Sequence, residues 1–155
     1  MDLDKLDRKL LNELQINADR TNAELGEVVG LSPASVLRRI KKLRDEGIVE
    51  RIVALVAPEA SEQSLIAISE ISLKRHGTDE RDRFLKQMSA QPAVAQCYLV
   101  TGDTDVVTIA SFANMAAFDS FVERCLASDR SVEQVRTHFV MRRVKFLPQV
   151  SFTEA

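Results

Sequence analysis

The sequence predicts an α+β protein: a compact set of helices first, then a sheet-forming half in the order strand, helix, strand, strand, helix, strand. Three observations carry that expectation. Apolar residues recur at helical spacing from Leu3 to about Gly47, the chain turns β-branched and aliphatic from Ile48, and beyond Ser64 alternating segments are interrupted twice by helix-period ones. With 155 residues, 45% of them hydrophobic, the chain can bury at least one proper core, and its length suits one domain or two small ones.

Leu3, Leu6, Leu10 and Leu14 lie on one face of a first helix whose start carries Asp2, Asp4 and Asp7, where negative charge suits the helix dipole. This helix should stop near Asn17. Thr21 and Glu24 then form an S/T-x-x-E capping box for a short second helix through Leu25, Val28 and Val29, closed by Gly30. Ser32-Pro33 supplies an N-cap hydroxyl and a proline at the first helical position, so a third helix runs from there to Gly47.

The run Ile48–Ala57 reads as a strand, broken by Pro58 and followed by a polar hinge over Glu59–Gln63. After it come a strand at Ser64–Leu73, a helix at Asp79–Ala90, strands at Val94–Thr101 and Asp105–Phe112, a helix at Met115–Ala127 and a strand at Val135–Phe146. That order is ferredoxin-like: an antiparallel sheet with both helices on one face, leaving the other face to be covered by self-association if it is apolar. The expected domains are 1–50, a strand and hinge at 51–62, 63–146, and a C-terminal tail at 147–155.

Several function classes are excluded at this point. The first residues lack a basic region followed by an apolar one, and no run approaches the roughly 18 apolar residues of a membrane span, so a cytoplasmic chain without membrane contact is expected. Cys97, Cys125, His76 and His138 have no metal-ligand spacing among them, and the cysteines read as buried free thiols. No nucleophile pair, G-x-S-x-G or phosphate-cradling glycine loop is present, so neither catalytic residues, nor a metal, nor a cofactor are expected. His76, before Gly77, reads as an exposed residue without function.

The net charge of −2 gives no general attraction for nucleic acid, but the charge is uneven: Arg38 to Arg44, RRIKKLR, is dense in bases and free of acids. The second and third helices, joined at Gly30-Leu31, match a helix-turn-helix of the winged type, whose second helix enters the major groove. Placing Val36, Leu37, Ile40 and Leu43 on the core side leaves Ala34, Ser35, Arg38, Lys41 and Lys42 for DNA, with Arg39 and Arg44 flanking. Ser32 and Ser35 suit phosphates or base edges, Arg38 a guanine, Lys41 and Lys42 phosphates, and Thr21 and Asn22 open the second helix beside them.

The segment LDKLDRKLLNELQINADRTNAELGEVVGLSPASVLRRIKKLRDEGIV resembles the helix-turn-helix half of the Lrp/AsnC family of feast/famine transcription regulators. YLVTGDTDVVTIASFANMAAFDSF and VRTHFVMRRVKF resemble that family's sensing domain. The resemblance implies a homodimer built through the C-terminal sheets, assembly to a tetramer or octamer, double-stranded DNA as partner, and an amino-acid effector at a subunit interface. It also implies that Gly102, Asp103, Thr104 and Asp105, with Thr137 and His138, form the effector pocket. Val106 departs from the family, where an aromatic residue is common, and so does His138, where other hydroxyl or aromatic side chains are usual.

From the residues alone, Gly102-Asp103 is a tight hairpin turn, although its N–H groups suit a carboxylate and Asp103 or Asp105 an ammonium group. Two alternatives stand beside the regulator: an architectural protein that compacts DNA without an effector, and a small-molecule-binding regulatory subunit of an enzyme.

Overall fold

The computed structural model describes residues 3–57, 60–74 and 77–153, and the chain divides into two compact units: residues 1–55 with 145–155, and residues 56–144. Pro58, Glu59 and His76, and the expectations attached to them, lie outside the described residues.

The first unit holds α1 (Lys5–Ile16), α2 (Asn22–Val29) and α3 (Pro33–Asp45). Each start has its own side-chain cap: Asp4 accepts from the Asp7 N–H, Thr21 and Glu24 form the reciprocal box, and Ser32 accepts from the Ser35 N–H. Gly30, at φ 78°, ends α2 in the left-handed conformation that glycine adopts without strain. Gly26 has a different reason. Inside a helix glycine is costly, but a Cβ here would run into the Leu31 carbonyl oxygen, which accepts no substitute for the close crossing of turn and helix.

Leu10, Leu11, Leu25, Val29, Val36, Ile40 and Leu43 form the core of this unit. Leu37, expected in it, is 58% exposed, because Val36 and Ile40 already fill the buried stripe and residue 37 lies about 100° further round the helix. Arg39 also turns inward, toward α1: its Nη1 lies 2.6 Å from Oδ1 of Asp7 and 2.7 Å from Oδ2 of Asp4. Asp7 is only 3% exposed. The two carboxylate hydrogen bonds raise the Arg39 pKa further above its ordinary value, and the Asp7 N–H, then Arg39, lower that of Asp4.

No strand forms over Ile48–Ala57 and no β wing is paired there; the described residues are without a ladder partner, and Ile52, Val53, Leu55 and Val56 are exposed. β-propensity alone does not make a strand when no neighbour supplies the hydrogen bonds. The tail is also not a separate appendage, since residues 145–155 belong to the first unit.

The second unit contains β1 (Leu65–Leu73), α4 (Thr78–Ser89), β2 (Val94–Leu99), β3 (Val106–Phe112), α5 (Met115–Val122), which continues as a π-helical turn over Glu123–Ala127, and β4 (Val132–Phe139). All neighbouring pairs are antiparallel, in the order β2-β3-β1-β4. Odd-numbered residues of β1, such as Ala67 and Ile71, join Phe84, Met88, Val106, Phe112, Phe121 and Leu126 in the core, while even-numbered ones face the other side. Val106 is fully buried there.

β4 starts earlier and ends sooner than its sequence suggests. Asp129 sets the start: its Oδ1 accepts from the Ser131 N–H at 2.9 Å, the Ser131 hydroxyl at 2.6 Å and Arg83 Nη2 at 2.9 Å. β1 sets the end, because the ladder runs out where Val140 N donates to Ile66 O. Cys97 is half-buried and Cys125 buried, both as free thiols, and burial pushes the Cys97 thiol up. Among the described residues no helix is long and apolar enough to cross a membrane.

Two outcomes follow from these anchors. Arg39→Ala leaves Asp7 buried without its cation and should lower the stability of the first unit by about 2 kcal/mol, read as a drop in the urea midpoint. An unchanged midpoint would mean that water replaces the guanidinium. For Asp129, burial acts to raise the pKa, but the Arg83 and Ser131 hydrogen bonds together outweigh it and hold the group at about 2, against an ordinary 3.8. Its contribution of about 2 kcal/mol is therefore complete above pH 3.8 and disappears as pH falls through about 2. Asp129→Asn should be less stable than the parent at pH 6, with the two denaturation curves converging near pH 2; a constant gap would refute the assignment.

Candidate nucleic-acid interface and polar pocket

On α3 the exposed surface runs through Ser32, Ala34, Arg38, Lys41, Lys42 and Arg44, with Ser35 half-buried beside them. The helix is long enough to carry this surface because its N-terminus is fixed twice, by the Ser32 cap and by proline in the first turn. Ser32 Oγ donates to Ser35 Oγ at 2.9 Å, which leaves the Ser35 hydroxyl hydrogen free to point outward. Lys42 Nζ is 3.8 Å from Glu46, a loose pair of exposed side chains.

Two of the expected residues are committed elsewhere. Arg39 faces Asp4 and Asp7, so of the basic cluster Arg38, Lys41, Lys42 and Arg44 present their charge outward. The Thr21 hydroxyl donates to Glu24 Oε2 at 2.8 Å and accepts the Glu24 N–H, and the Thr21 N–H and hydroxyl in turn lower the Glu24 pKa. Asn22 is half-buried at the first position of α2.

On the open face of the sheet the ladders set side chains in rows. Tyr98, Val107, Glu70 and Arg136 form one row across β2, β3, β1 and β4, and Gln96, Ile109, Ile68 and His138 the next. The centre of this face is apolar and its β4 edge is charged. Arg136 Nη1 lies 3.3 Å and His138 Nε2 3.7 Å from the Glu70 carboxylate.

Where this charged edge meets the loop between β2 and β3, Glu70, Ser72, Asp103, Thr104, Gln134 and Arg136 enclose a pocket of about 340 Å³. The connection is a loop over residues 100–105, closed by Val100 N to Asp105 O at 2.8 Å, and not the tight two-residue turn that Gly102-Asp103 suggests. Gly102, at φ 131°, permits its bend. Asp105 anchors it: Oδ2 accepts from the Leu73 N–H at 2.7 Å, so this carboxylate holds the end of β1. Asp103 and Thr104 are left to face the pocket. The Thr104 Oγ1 is buried and has no hydrogen-bond partner among the described residues. A buried hydroxyl without a partner is costly.

The six residues expected to form one site thus separate. Asp103 and Thr104 line the pocket, Gly102 and Asp105 shape its loop, and His138 shares the sheet face one row away. Thr137 points to the opposite face, where its hydroxyl is 2.9 Å from Ser69 Oγ. Glu70, Ser72, Gln134 and Arg136 were missed by the sequence reading. The signal that finds them is strand alternation, once the pairing of β1 with β4 is known. Among the described residues no cluster of three His, Cys, Asp or Glu side chains is placed to hold a metal.

Comparison with known proteins bears on both halves. The AsnC-type helix-turn-helix domain model matches residues 3–44, and the Lrp/AsnC ligand binding domain model matches residues 66–150. The leucine-responsive regulatory protein of Escherichia coli (strain K12) is 34% identical over 144 residues, covering 93% of this chain and 88% of that protein. An uncharacterized HTH-type transcriptional regulator of Sinorhizobium fredii is 37% identical over 145 residues, covering 94% and 86%. The structure is similar to that of a transcriptional regulator from Neisseria meningitidis in complex with L-Met, with TM-score 0.87 and 38% identity over 98% of this chain and 97% of that one. An AsnC family transcriptional regulator from Agrobacterium tumefaciens matches with TM-score 0.86 and 31% identity over 97% and 96%. Both halves are matched in order and across nearly the whole chain, and the protein therefore belongs to the Lrp/AsnC family of transcriptional regulators.

Proposed function

We propose that this regulator works in the cytoplasm as a homodimer, or a larger even assembly, that reads a two-fold-related DNA site with paired α3 helices and binds an amino acid in the Glu70–Asp103–Arg136 pocket. The observation that carries the DNA half is the exposed face of Arg38, Lys41 and Lys42, with Ser35 half-buried beside it, on a helix whose N-terminus is fixed twice. Arg38, near the N-terminal half of α3, suits bidentate contact with guanine O6 and N7; Lys41 and Lys42 suit phosphates. Asn22, at the first position of α2, is read as a phosphate contact beside them, whereas Thr21 caps α2 and Arg39 serves the fold. The apolar centre of the open sheet face, with Ile68, Val107 and Ile109, supports a second copy as its cover.

The effector half is carried by the unpartnered Thr104 hydroxyl in a pocket that offers both signs of charge. An amino acid presents an ammonium group for Asp103 or Glu70, and a carboxylate for Arg136 and Thr104 Oγ1. The pocket volume lies within the range of about 300–1,000 Å³ common for small-molecule sites. The Neisseria relative solved with L-Met supports the same class of ligand. Its relatives being transcriptional regulators, and its pocket lacking any nucleophile–base pair, this chain is read as a binder without turnover.

Arg38→Ala should cost about 1–3 kcal/mol on the preferred site and relax base choice at one position. Lys42→Ala should weaken all sequences alike and reduce the slope of log affinity against log salt by about 1. Fluorescence anisotropy on specific and scrambled duplexes separates the two, and equal losses on every sequence from both variants would sink the reading of α3.

For the pocket, Thr104→Val removes the unpartnered hydroxyl at constant shape. The ligand-free melting temperature should hold or rise, while affinity for the effector drops about tenfold, the worth of one lost hydrogen bond to a charged group. Calorimetry across the individual amino acids, starting with methionine, checks this. A Thr104→Val protein that binds as well as the parent would place the ligand elsewhere.

A further inference from the structure

The last residues of the chain are bound to α1 in a way that neither the DNA face nor the pocket uses. Asn12 and Gln15 stand one helical turn apart on the same side of α1. Asn12 Nδ2 donates to Phe152 O at 2.9 Å, and Phe152 N donates to Asn12 Oδ1 at 3.2 Å. Gln15 repeats the pattern: Nε2 donates to Val150 O at 3.0 Å, and its Oε1 accepts from Val150 N at 2.8 Å. Gln149 Nε2 adds a bond to the Gln15 carbonyl at 2.7 Å. A side-chain amide carries one donor edge and one acceptor edge, as a peptide does, so the two amides act as the neighbouring strand for two alternate residues of an extended segment. Phe152 packs against the leucine core of the first unit, and Pro148, Val150 and Phe152 line an apolar groove of about 340 Å³ with Leu11, Leu14 and Ile48.

The chain leaves the first unit after Leu55 and returns to it at Lys145, so β4 is followed directly by this attachment. We propose that residues 148–153 are a second tether, latched to α1 by Asn12 and Gln15, and that with the segment after α3 it limits where the DNA-binding unit can reach, so that the latch sets the half-site spacing the regulator accepts. The proposal rests on the dimeric DNA-reading function above. A unit held by one flexible segment samples a broad range of positions, and closing a second connection cuts that range sharply. The latch is also able to open. Its amide bonds are partly exposed and contribute little net free energy, which the cost of ordering the segment nearly offsets.

The test uses the full chain with Asn12→Ala/Gln15→Ala, which keeps α1 helical, and separately Phe152→Ala, which breaks the attachment from the tail side. Hydrogen exchange at the Val150 and Phe152 amides reports the latch itself: slowing of about tenfold or more against an unstructured peptide in the parent, lost in both variants. DNA binding is then measured on duplexes in which two copies of the half-site selected by the parent are separated by successive base-pair steps over one helical turn. The parent should favour one spacing by about tenfold, and both variants should spread their affinity within about threefold, with binding to a single half-site unchanged. Amides that exchange freely in the parent overturn the latch. Protected amides with no spacing preference in the parent, or with the parent's preference kept in the variants, overturn its role in spacing. A parent that selects no DNA at all fails the DNA-reading function, and the exchange result still decides the latch.

Discussion

The ion pair between Arg39 of α3 and the buried carboxylate of Asp7 on α1 sets the roll of the helix on which DNA reading depends. Asp7 is buried, where an unpaired carboxylate is costly, and Arg39 supplies a cation within hydrogen-bond reach. Once residue 39 is drawn toward α1, the helical repeat fixes its neighbours: Ile40 and Leu43 go into the core, and Arg38 and Lys42 go to the outer face. Gly26 completes the constraint from the other side by letting the Leu31 backbone approach α2, which brings the start of α3 close. The basic surface is thus a consequence of one buried acid and one missing side chain. The net charge of the chain, −2, says nothing about it.

The same kind of constraint shapes the sheet. β1 has a neighbour on each side, so its register with β3 and β4 decides which side chains meet on either face. Glu70 falls between Val107 and Arg136, and its carboxylate lies near both Arg136 and His138 of the β4 edge. Asp105 ties the adjoining loop to the end of β1 through the Leu73 N–H, which frees Asp103 and Thr104 for the pocket. Of the two acids flanking Thr104 in the sequence, one is structural and one is exposed, and only their hydrogen bonds tell them apart.

The helices and the βαββαβ order were legible because caps and periodicity are local. Asp4, Thr21 with Glu24, and Ser32-Pro33 announce three helix starts from a few residues each. What was not legible depended on partners distant in sequence. Ile48–Ala57 has the composition of a strand but no ladder, and β4 is bounded by Asp129 and by the end of β1 rather than by its own residues. Leu37 and Arg39 were read with the wrong roles because a wheel gives the angle between residues but not which angle is buried. The tail was unremarkable in composition, since what gives it a place is a pair of amides on α1, more than a hundred positions earlier in the chain.

Effector response in such a molecule requires a difference in ligand affinity between arrangements with different DNA affinity. The pocket is built wholly from the unit spanning residues 56–144, and the α3 face wholly from the other unit. Under the proposed reading, a ligand in the pocket influences α3 through chain connections or through the way subunits assemble. Glu70 and Arg136 already pair with each other, so a zwitterion entering between them exchanges one set of charge contacts for another. The gain from that exchange is modest, because partly exposed pairs contribute little. Under the proposed reading the Thr104 hydroxyl changes the balance: it has no hydrogen-bond partner among the described residues, so a ligand that bonds to it adds a contact that the free arrangement lacks. In that reading a ligand that reaches it favours the loop position in which Thr104 faces the pocket, and that loop is anchored on β1, the strand that pairs with β4.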